Sequence, residues 1–307
     1  MGYDKGTHWA LSVVRTLLVI LFFSSPTAAV STMSRIAVVT GSNKGIGLEI
    51  AKKLAKAPGH ICILTSRDEA RGQKAVDDLK REGMEIRYKQ LDINDPSSIE
   101  RFATEMENEY GRCDVLVNNA GIMFSSRSTT PFDAQAEKTL KTNYFDTVTL
   151  TERMLPLVRK SETGRIVNIA SQLGHLSILR SASLRKTFTD PSLSKEKVWE
   201  MMEKYVADVK GGCHLAEGWP SGAYGVSKLG LIAYTNVLAR LEKGAGTGVL
   251  VNSCCPGYCA TDLTQHKGYL SPENGARTPF MLTQLSGIRG DPSATGKFFT
   301  DGAAVEW

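Results

Sequence analysis

The stretch "RIAVVTGSNKGIGLEI", residues 35–50, decides the fold. It begins with RIAVV, a continuous apolar run that is typical of a strand buried on both faces of a parallel sheet. The glycine-rich turn TGSNKGIG follows, and a helix is predicted over Ile46–Ala57. This order predicts a phosphate-binding turn, because the free N–H groups and the dipole at a helix N-terminus favour an anion.

The same alternation of strands and helices continues along the chain. Helices are predicted over Glu69–Glu82, over Pro96–Tyr110, from about Asp133 to Lys160, and around Tyr224. The further predicted strands are HICILTS, EIRYKQLDI, CDVLVNNAG, GRIVNIAS, GVLVNSCCPG and GKFFTDG. Such strands separated by helices predict an α/β fold, a doubly wound parallel sheet covered on both faces, as a single domain over residues 33–307.

One segment, residues 172–220, is longer than a simple connection. Within it Val198, Met201, Tyr205 and Val209 recur at helical spacing, and Ser194 suits an N-cap. A helix is therefore predicted over residues 194–210, inside a helical insertion that precedes Tyr224.

Composition excludes several classes of function. The chain has 307 residues, 42% of them apolar and 22% charged, with a net charge of +5. No basic run is present, which argues against nucleic-acid binding. The six cysteines lack zinc-ligand spacing and the five histidines form no His-Glu-x-x-His motif, so no metal site is predicted. The absence of a Gly-x-Ser-x-Gly elbow argues against a hydrolase.

Residues 1–32 differ from the rest of the chain. Lys5 precedes an apolar stretch from Trp9 to Phe23, and small residues follow up to Ala29. This pattern favours a signal peptide or a short anchor over a spanning helix. A second interpretation, that translation starts at Met33, stays open. The first predicts an endoplasmic-reticulum, membrane-anchored or secreted protein, and the second a cytoplasmic one.

The glycine-rich turn predicts a dinucleotide cofactor. The candidate cofactor contacts within it are Gly41, Ser42, Asn43, Lys44, Gly45, Ile46 and Gly47. Beyond the next strand, where an NAD-binding chain would carry an acid for the ribose 2′-hydroxyl, the sequence has Arg67. Two cations, Lys44 and Arg67, suit a 2′-phosphate, so NADPH is predicted over NADH.

Tyr224 and Lys228 lie four residues apart and therefore on one helix face. A carbonyl that accepts hydride needs a proton, and a tyrosine with a suitably lowered pKa supplies one. We expect the Lys228 ammonium to lower the pKa of Tyr224. Ser171, at the end of the fifth strand, is predicted to hydrogen-bond the substrate oxygen. Asn143, on the long helix, is predicted to hold a water that links Lys228 to solvent.

With these motifs, and with NNAG at 118–121 and PGYCATD at 256–262, the sequence resembles the short-chain dehydrogenase/reductase family over nearly all of 34–307. The resemblance implies a Rossmann sheet of about seven parallel strands and a catalytic Asn143, Ser171, Tyr224 and Lys228. It also places Asp92 and Ile93 by the adenine and Asn119 by its ribose. Further cofactor contacts are expected at Pro256, Gly257, Tyr224 and Lys228.

The insertion, the EGWPSGAYGVSK run and the C-terminal VEW look more particularly like the NADPH-dependent carbonyl reductases. That resemblance implies reduction of ketones, aldehydes and quinones, and a monomer without obligate partners, because the insertion covers a surface used for assembly. The substrate contacts it implies are Ser171, Leu173, Trp219, Tyr224 and Tyr258. Two alternatives stay open: an NADP-dependent alcohol or steroid dehydrogenase working in oxidation, and a catalytically idle dinucleotide-binding sensor.

Overall fold

The protein is described by a computed structural model that covers residues 1–2, 34–285 and 295–307. The leader predicted over residues 1–32 therefore lies almost wholly outside the described residues. The described residues from Ser34 onward cluster as one compact unit. Within the described ranges, no helix combines the length and the apolar composition needed to cross a bilayer.

Eight strands form one sheet in the order β3-β2-β1-β4-β5-β6-β7-β8 among the described residues. Their bounds are β1 Arg35–Val39, β2 His60–Ser66, β3 Ile86–Gln90, β4 Val115–Asn118, β5 Arg165–Ile169, β6 Leu250–Cys255, β7 Phe298–Thr300 and β8 Ala303–Val305. Strands β1 to β7 pair in parallel, which confirms the predicted doubly wound sheet of about seven parallel strands.

The eighth strand was not predicted. It pairs antiparallel with β7 across a two-residue turn at Asp301 and Gly302, which have φ of 47° and 78°. An Asp-Gly pair between short strands is a hairpin signal, because both central residues of a type I′ turn need positive φ. The sequence therefore contained the hairpin signal. A strand of three residues, however, is too short to show the two-residue alternation from which a strand is predicted.

Helices cover both faces of the sheet. The α-helices are α1 Gly45–Lys56, α2 Glu69–Arg81, α3 Pro96–Tyr110, α4 Phe132–Leu140, α5 Thr147–Arg159, α6 Ala182–Phe188, α7 Lys195–Lys210, α8 Ala223–Gly244, α9 Pro272–Gly275 and α10 Arg277–Thr283. Alternate residues of β1 enter two cores: Val38 packs on one face, and Ala37 and Val39 on the other. Burial on both faces explains the continuous apolar runs in the sequence.

The insertion has the predicted helix and one more. Ser194 caps α7, its hydroxyl accepting from the N–H of Lys197 at 3.1 Å, as the sequence indicated. The preceding helix α6 was not predicted, because its seven residues give too little periodicity. The long helix expected from Asp133 to Lys160 is interrupted by a π-helical segment over Lys141–Asp146, which joins α4 to α5.

Candidate active site

The glycine-rich turn joins β1 to α1 beside the point where the strand order reverses, the usual place for a ligand in a doubly wound sheet. Gly41 and Gly45 both have φ of 59°, which disfavours a side chain. A Cβ on Gly47 would lie 2.4 Å from Asn119 Nδ2 and 2.8 Å from the carbonyl oxygen of Gly41. The turn is therefore built for a backbone that approaches its neighbours closely.

Helix α1 presents its first N–H groups without a side-chain cap. Lys44 occupies the N-cap position and makes no capping hydrogen bond with its side chain. Uncapped N–H groups at the carboxyl edge of the sheet are the donor set that a pyrophosphate requires. The turn therefore fits a dinucleotide.

The two predicted 2′-phosphate ligands have different surroundings. The Lys44 ammonium lies 2.5 Å from Asp262 Oδ2, on the loop after β6, and both side chains are more than half exposed. Lys44 holds the pKa of Asp262 below its usual value. Arg67 follows β2 and is exposed. Lys44 is thus paired with the Asp262 carboxylate. This ion pair must loosen for the Lys44 ammonium to bind a 2′-phosphate.

The other predicted cofactor contacts lie after the carboxyl ends of strands. Asn119 follows β4 and donates from Nδ2 to the carbonyl oxygens of Thr40 at 2.9 Å and Gly41 at 3.2 Å, so its amide braces the turn. The remaining ones are Asp92 and Ile93 after β3, and Pro256 and Gly257 directly after β6. Parallel strands bring these segments to one edge of the sheet.

Tyr224, Ser171 and Lys228 come together. Ser171, which follows β5, lies beside the Tyr224 hydroxyl and lowers the pKa of that phenol. The Lys228 ammonium lies 5.5 Å from the centre of the Tyr224 ring and donates to the carbonyl oxygen of Ile169 at 2.7 Å. Helix α8 thus presents both side chains to the carboxyl end of β5, as the four-residue spacing predicted.

Asn143 lies in the π-helical segment, a geometry often found at functional sites. Its Oδ1 accepts from the N–H of Ile122 at 2.8 Å, while Nδ2 donates to the carbonyl oxygen of Ile122 at 2.9 Å and to Ser227 Oγ at 3.2 Å. A Cβ placed on Gly121 would lie 3.1 Å from Asn143 Oδ1 and 3.8 Å from Lys228 Nζ, so these two polar atoms are neighbours. Oδ1 is the only acceptor of this amide, and its second lone pair can accept from a water.

Burial controls the protonation of the pair. It raises the pKa of the Tyr224 phenol above its usual value, whereas Ser171 acts in the opposite direction. Burial also lowers the pKa of Lys228 to about 8. The pKa of Tyr224 is therefore raised overall and not lowered as its neighbour Lys228 led us to expect, because burial disfavours the charged form of each group. The phenol is held as a proton donor.

A cleft of about 390 Å³ opens beside Tyr224. Its apolar lining includes Met123, Phe124, Phe132 and Ile178, and no charged side chain lines it in the part of the chain that the structure describes. Leu173, predicted as a substrate contact, also lines it and is 59% exposed. The cleft can take an uncharged, largely apolar molecule beside a phenolic donor.

Three of the five predicted substrate contacts, Ser171, Trp219 and Tyr258, do not line this cleft. Trp219 is fully buried and packs edge-on against Tyr205, so the prediction that it lines the cleft is wrong. Its neighbour Pro220 lines the cleft instead. Tyr258 is half-exposed, stacks near Tyr269 with ring centres 6.1 Å apart, and is not among the residues that border the cleft.

Sequence reasoning missed the loop that follows β4. Met123 and Phe124 lie on it, and Phe132 begins α4 where the loop ends. The available signal was the apolar run Ile122–Phe124 directly after NNAG, in a segment with no periodicity of its own. The paired cysteines, Cys254 and Cys255, end β6 as buried free thiols.

Comparisons with known proteins agree with this geometry. Residues 35–183 match the short chain dehydrogenase family. Carbonyl reductase [NADPH] 1 of Bos taurus is 41% identical over 280 residues, which cover 90% of this chain and 100% of that protein. Carbonyl reductase [NADPH] 3 of Mus musculus is 43% identical over 281 residues, with the same coverage of both chains.

Solved structures give the same result. Salutaridine reductase from Papaver somniferum superposes with a TM-score of 0.77 at 31% identity, over 87% of this chain and 99% of that one. Menthone neomenthol reductase from Mentha piperita superposes with a TM-score of 0.73 at 30% identity, over 87% of this chain and 98% of that one. Both are similar along almost their whole length.

Proposed function

The chain belongs to the short-chain dehydrogenase family, and on that premise we propose that it is an NADPH-dependent carbonyl reductase that converts ketones, aldehydes and quinones to alcohols. The observation that carries the proposal is the position of Tyr224, which lines an uncharged cleft and lies beside both Ser171 and Lys228. A proton donor, a second hydroxyl and a buried amine are the groups that carbonyl reduction needs from the protein.

The glycine-rich turn and the N-terminus of α1 hold the cofactor pyrophosphate, and Lys44 and Arg67 hold the 2′-phosphate. When bound there, NADPH supplies a hydride to the carbonyl carbon. Lys44 exchanges its ion pair with Asp262 for one with the phosphate. This exchange costs little free energy, because an exposed ion pair contributes little to stability.

Ser171 donates a hydrogen bond to the substrate oxygen, and Tyr224 gives its phenolic proton to the same oxygen. The raised pKa of Tyr224 keeps the phenol protonated at neutral pH, which is the form that reduction consumes. Lys228, with a pKa near 8, is close enough to neutrality to pass a proton back to Tyr224. Asn143 orders the loop at Ile122 and lies next to Lys228 on this route.

The test is an assay of the full chain with menadione and with an aromatic aldehyde. NADPH consumption is measured as the loss of NADPH absorbance. Turnover with NADPH that is much faster than with NADH supports the proposal. NADPH binding without turnover of any carbonyl compound would contradict it and favour the idle sensor. Turnover seen only with an alcohol and NADP⁺ would favour the oxidising dehydrogenase.

We also propose that the protein is a monomer. Helix α7 of the insertion packs its buried Val198 and Met202 toward α4 and α8. Trp199 contacts Phe145 with ring centres 4.6 Å apart, and Lys195 bonds Glu152 at 2.8 Å. The insertion thus covers the faces of those helices that would otherwise be free for another subunit.

The compartment follows from the start of translation. A start at Met33 gives a cytoplasmic protein, and the six free thiols suit that reducing environment. Retention of residues 1–32 gives an endoplasmic-reticulum, membrane-anchored or secreted protein. The N-terminal sequence of the protein isolated from cells, read together with its fractionation, distinguishes the two.

A further inference from the structure

Besides Leu173 and Ile178, the insertion side of the substrate cleft has a wall formed by Pro220, Ser221 and Gly222. These three wall residues directly precede α8 and are small or ring-constrained. None of them has a side chain long enough to anchor itself in the core. The position of this wall must therefore be set by the residues to which it is attached.

The first attachment is Trp219, the residue before the wall. Its Nε1 donates to Asp208 Oδ2 at 2.9 Å, and its ring packs edge-on against Tyr205 and Phe188 at 5.4 and 6.2 Å between centres. Asp208 is 8% exposed and lies in the last turn of α7. The indole is therefore fixed both by packing and by a charged acceptor.

The backbone makes a second connection to the same point. The N–H groups of Cys213 and His214 donate to the carbonyl oxygen of Asp208 at 2.9 and 3.2 Å. The N–H of Trp219 donates to the carbonyl oxygen of His214 at 2.9 Å. The loop between α7 and the wall is thus folded back onto the end of α7, with Asp208 at its centre.

His214 contacts two residues that line the cleft. Its ring lies 5.4 Å from the ring centre of Phe132, and its Nε2 lies 3.3 Å from Ser221 Oγ. Phe132 and Ser221 both line the cleft, on α4 and on the wall respectively. The imidazole therefore spaces two walls of the cleft without lining the cleft itself.

We propose that Asp208, Trp219 and His214 are positioning residues that fix the insertion-side wall and so determine which carbonyl compounds bind. The inference rests on the proposed function and extends it to substrate selection. None of the three touches the reacting atoms. Their effect is expected on carbonyl compounds wide enough to contact the wall, and not on compounds that reach only Tyr224 and Ser171.

The test uses Trp219→Phe, which keeps an aromatic ring and removes the N–H donor, and His214→Leu, which keeps apolar contact with Phe132. Each variant is assayed with a small aliphatic aldehyde and with a bulky aromatic ketone. We expect the KM of the ketone to rise about tenfold, since misplacement of a group by about 1 Å costs up to about 100-fold. The KM of the aldehyde and the Kd of NADPH, read by fluorescence, should stay within about twofold of wild type.

Lys197→Met is the matched control, because Lys197 lies on the exposed side of the same helix and bonds Glu200 at 3.0 Å, away from Asp208 and the wall. It should change neither KM. Equal effects on aldehyde, ketone and NADPH, or an unchanged ketone KM in variants with native circular dichroism, would overturn the positioning role. If the wild-type protein reduces no carbonyl compound, the proposed function fails instead, so the two failures are distinguishable.

Discussion

Lys228 donates a hydrogen bond of 2.7 Å to the carbonyl oxygen of Ile169, the last residue of β5. The contact fixes the ammonium at the carboxyl end of a central strand, where the side chain is 4% exposed. A carbonyl oxygen is only a partial charge, so it offsets part of the desolvation and the pKa falls to about 8.

This burial predicts a pH dependence of stability. The pKa of Lys228 is about 8 in the folded state and 10.5 as its reference value, so the unfolded state binds more protons between those pH values. Stability therefore rises with pH across this window, by up to roughly 3 kcal/mol. The free energy of unfolding of wild type minus that of Lys228→Met should increase from pH 7 to pH 10. A constant difference would mean that folding does not lower the pKa of Lys228.

Tyr224→Phe should reduce kcat by about 100- to 10,000-fold, the range for loss of a general acid. The ring and its packing on α8 are kept, so the Kd of NADPH should change little. Activity with a carbonyl substrate and NADPH fluorescence titration measure the two effects. Ser171→Ala serves as a comparison, since it removes a hydrogen-bond donor and leaves the phenolic proton in place. A Tyr224→Phe enzyme with normal kcat would remove Tyr224 from the proton-donor role.

The double variant Lys44→Ala/Arg67→Ala should raise the KM for NADPH at least about tenfold while changing the KM for NADH little, because NADH lacks the 2′-phosphate. Asp262→Asn is the control. It frees Lys44 from its ion partner without removing the cation, and so should not weaken NADPH binding. An equal rise in the KM for NADPH and for NADH would mean that the two cations do not contact the 2′-phosphate.

How far the sequence predicts the site depends on the range of the interactions involved. The turn at Gly41–Gly47 and the placement of Tyr224 and Lys228 on one helix face follow from local geometry, and both were predictable. Trp219 was misplaced because its direction is decided by Asp208, Tyr205 and Phe188 on other elements of the insertion.

The pKa of Tyr224 shows the same limit. The sequence reveals the neighbouring charge of Lys228, but desolvation depends on everything packed around the phenol, including segments distant in the chain. The π-helical segment that holds Asn143 is likewise invisible to a periodicity argument, because one widened turn leaves the apolar pattern on both sides unchanged.

The monomer proposal makes a prediction about α7. Val198 and Met202 are fully buried beneath it, so Val198→Asp/Met202→Asp should detach the helix and expose apolar surface. We expect wild type to sediment as a monomer and the double variant to associate with increasing concentration. Lys197→Asp, on the exposed side of α7, should stay monomeric. A wild-type dimer or tetramer would contradict the covering role of the insertion.

Gly47→Ala tests the cofactor turn without removing any charge. Its new Cβ would lie 2.4 Å from Asn119 Nδ2 and 2.8 Å from the carbonyl oxygen of Gly41, so the turn must shift. Overpacking of this kind destabilises by about 1–3 kcal/mol. Because the shift displaces the N–H groups that face the pyrophosphate, the Kd of NADPH should rise at least about tenfold, which is about 1.4 kcal/mol.

Gly244→Ala is the matched control, since a Cβ there meets no atom within 4 Å and the residue ends α8. It should leave NADPH binding unchanged and stabilise the helix by up to about 1 kcal/mol. Fluorescence titration and denaturant unfolding of the two variants separate a local effect at the turn from a general cost of replacing glycine. If Gly47→Ala binds NADPH as wild type does, the close approach of the turn to Asn119 is not what the cofactor requires, and the site must rest on the cations instead.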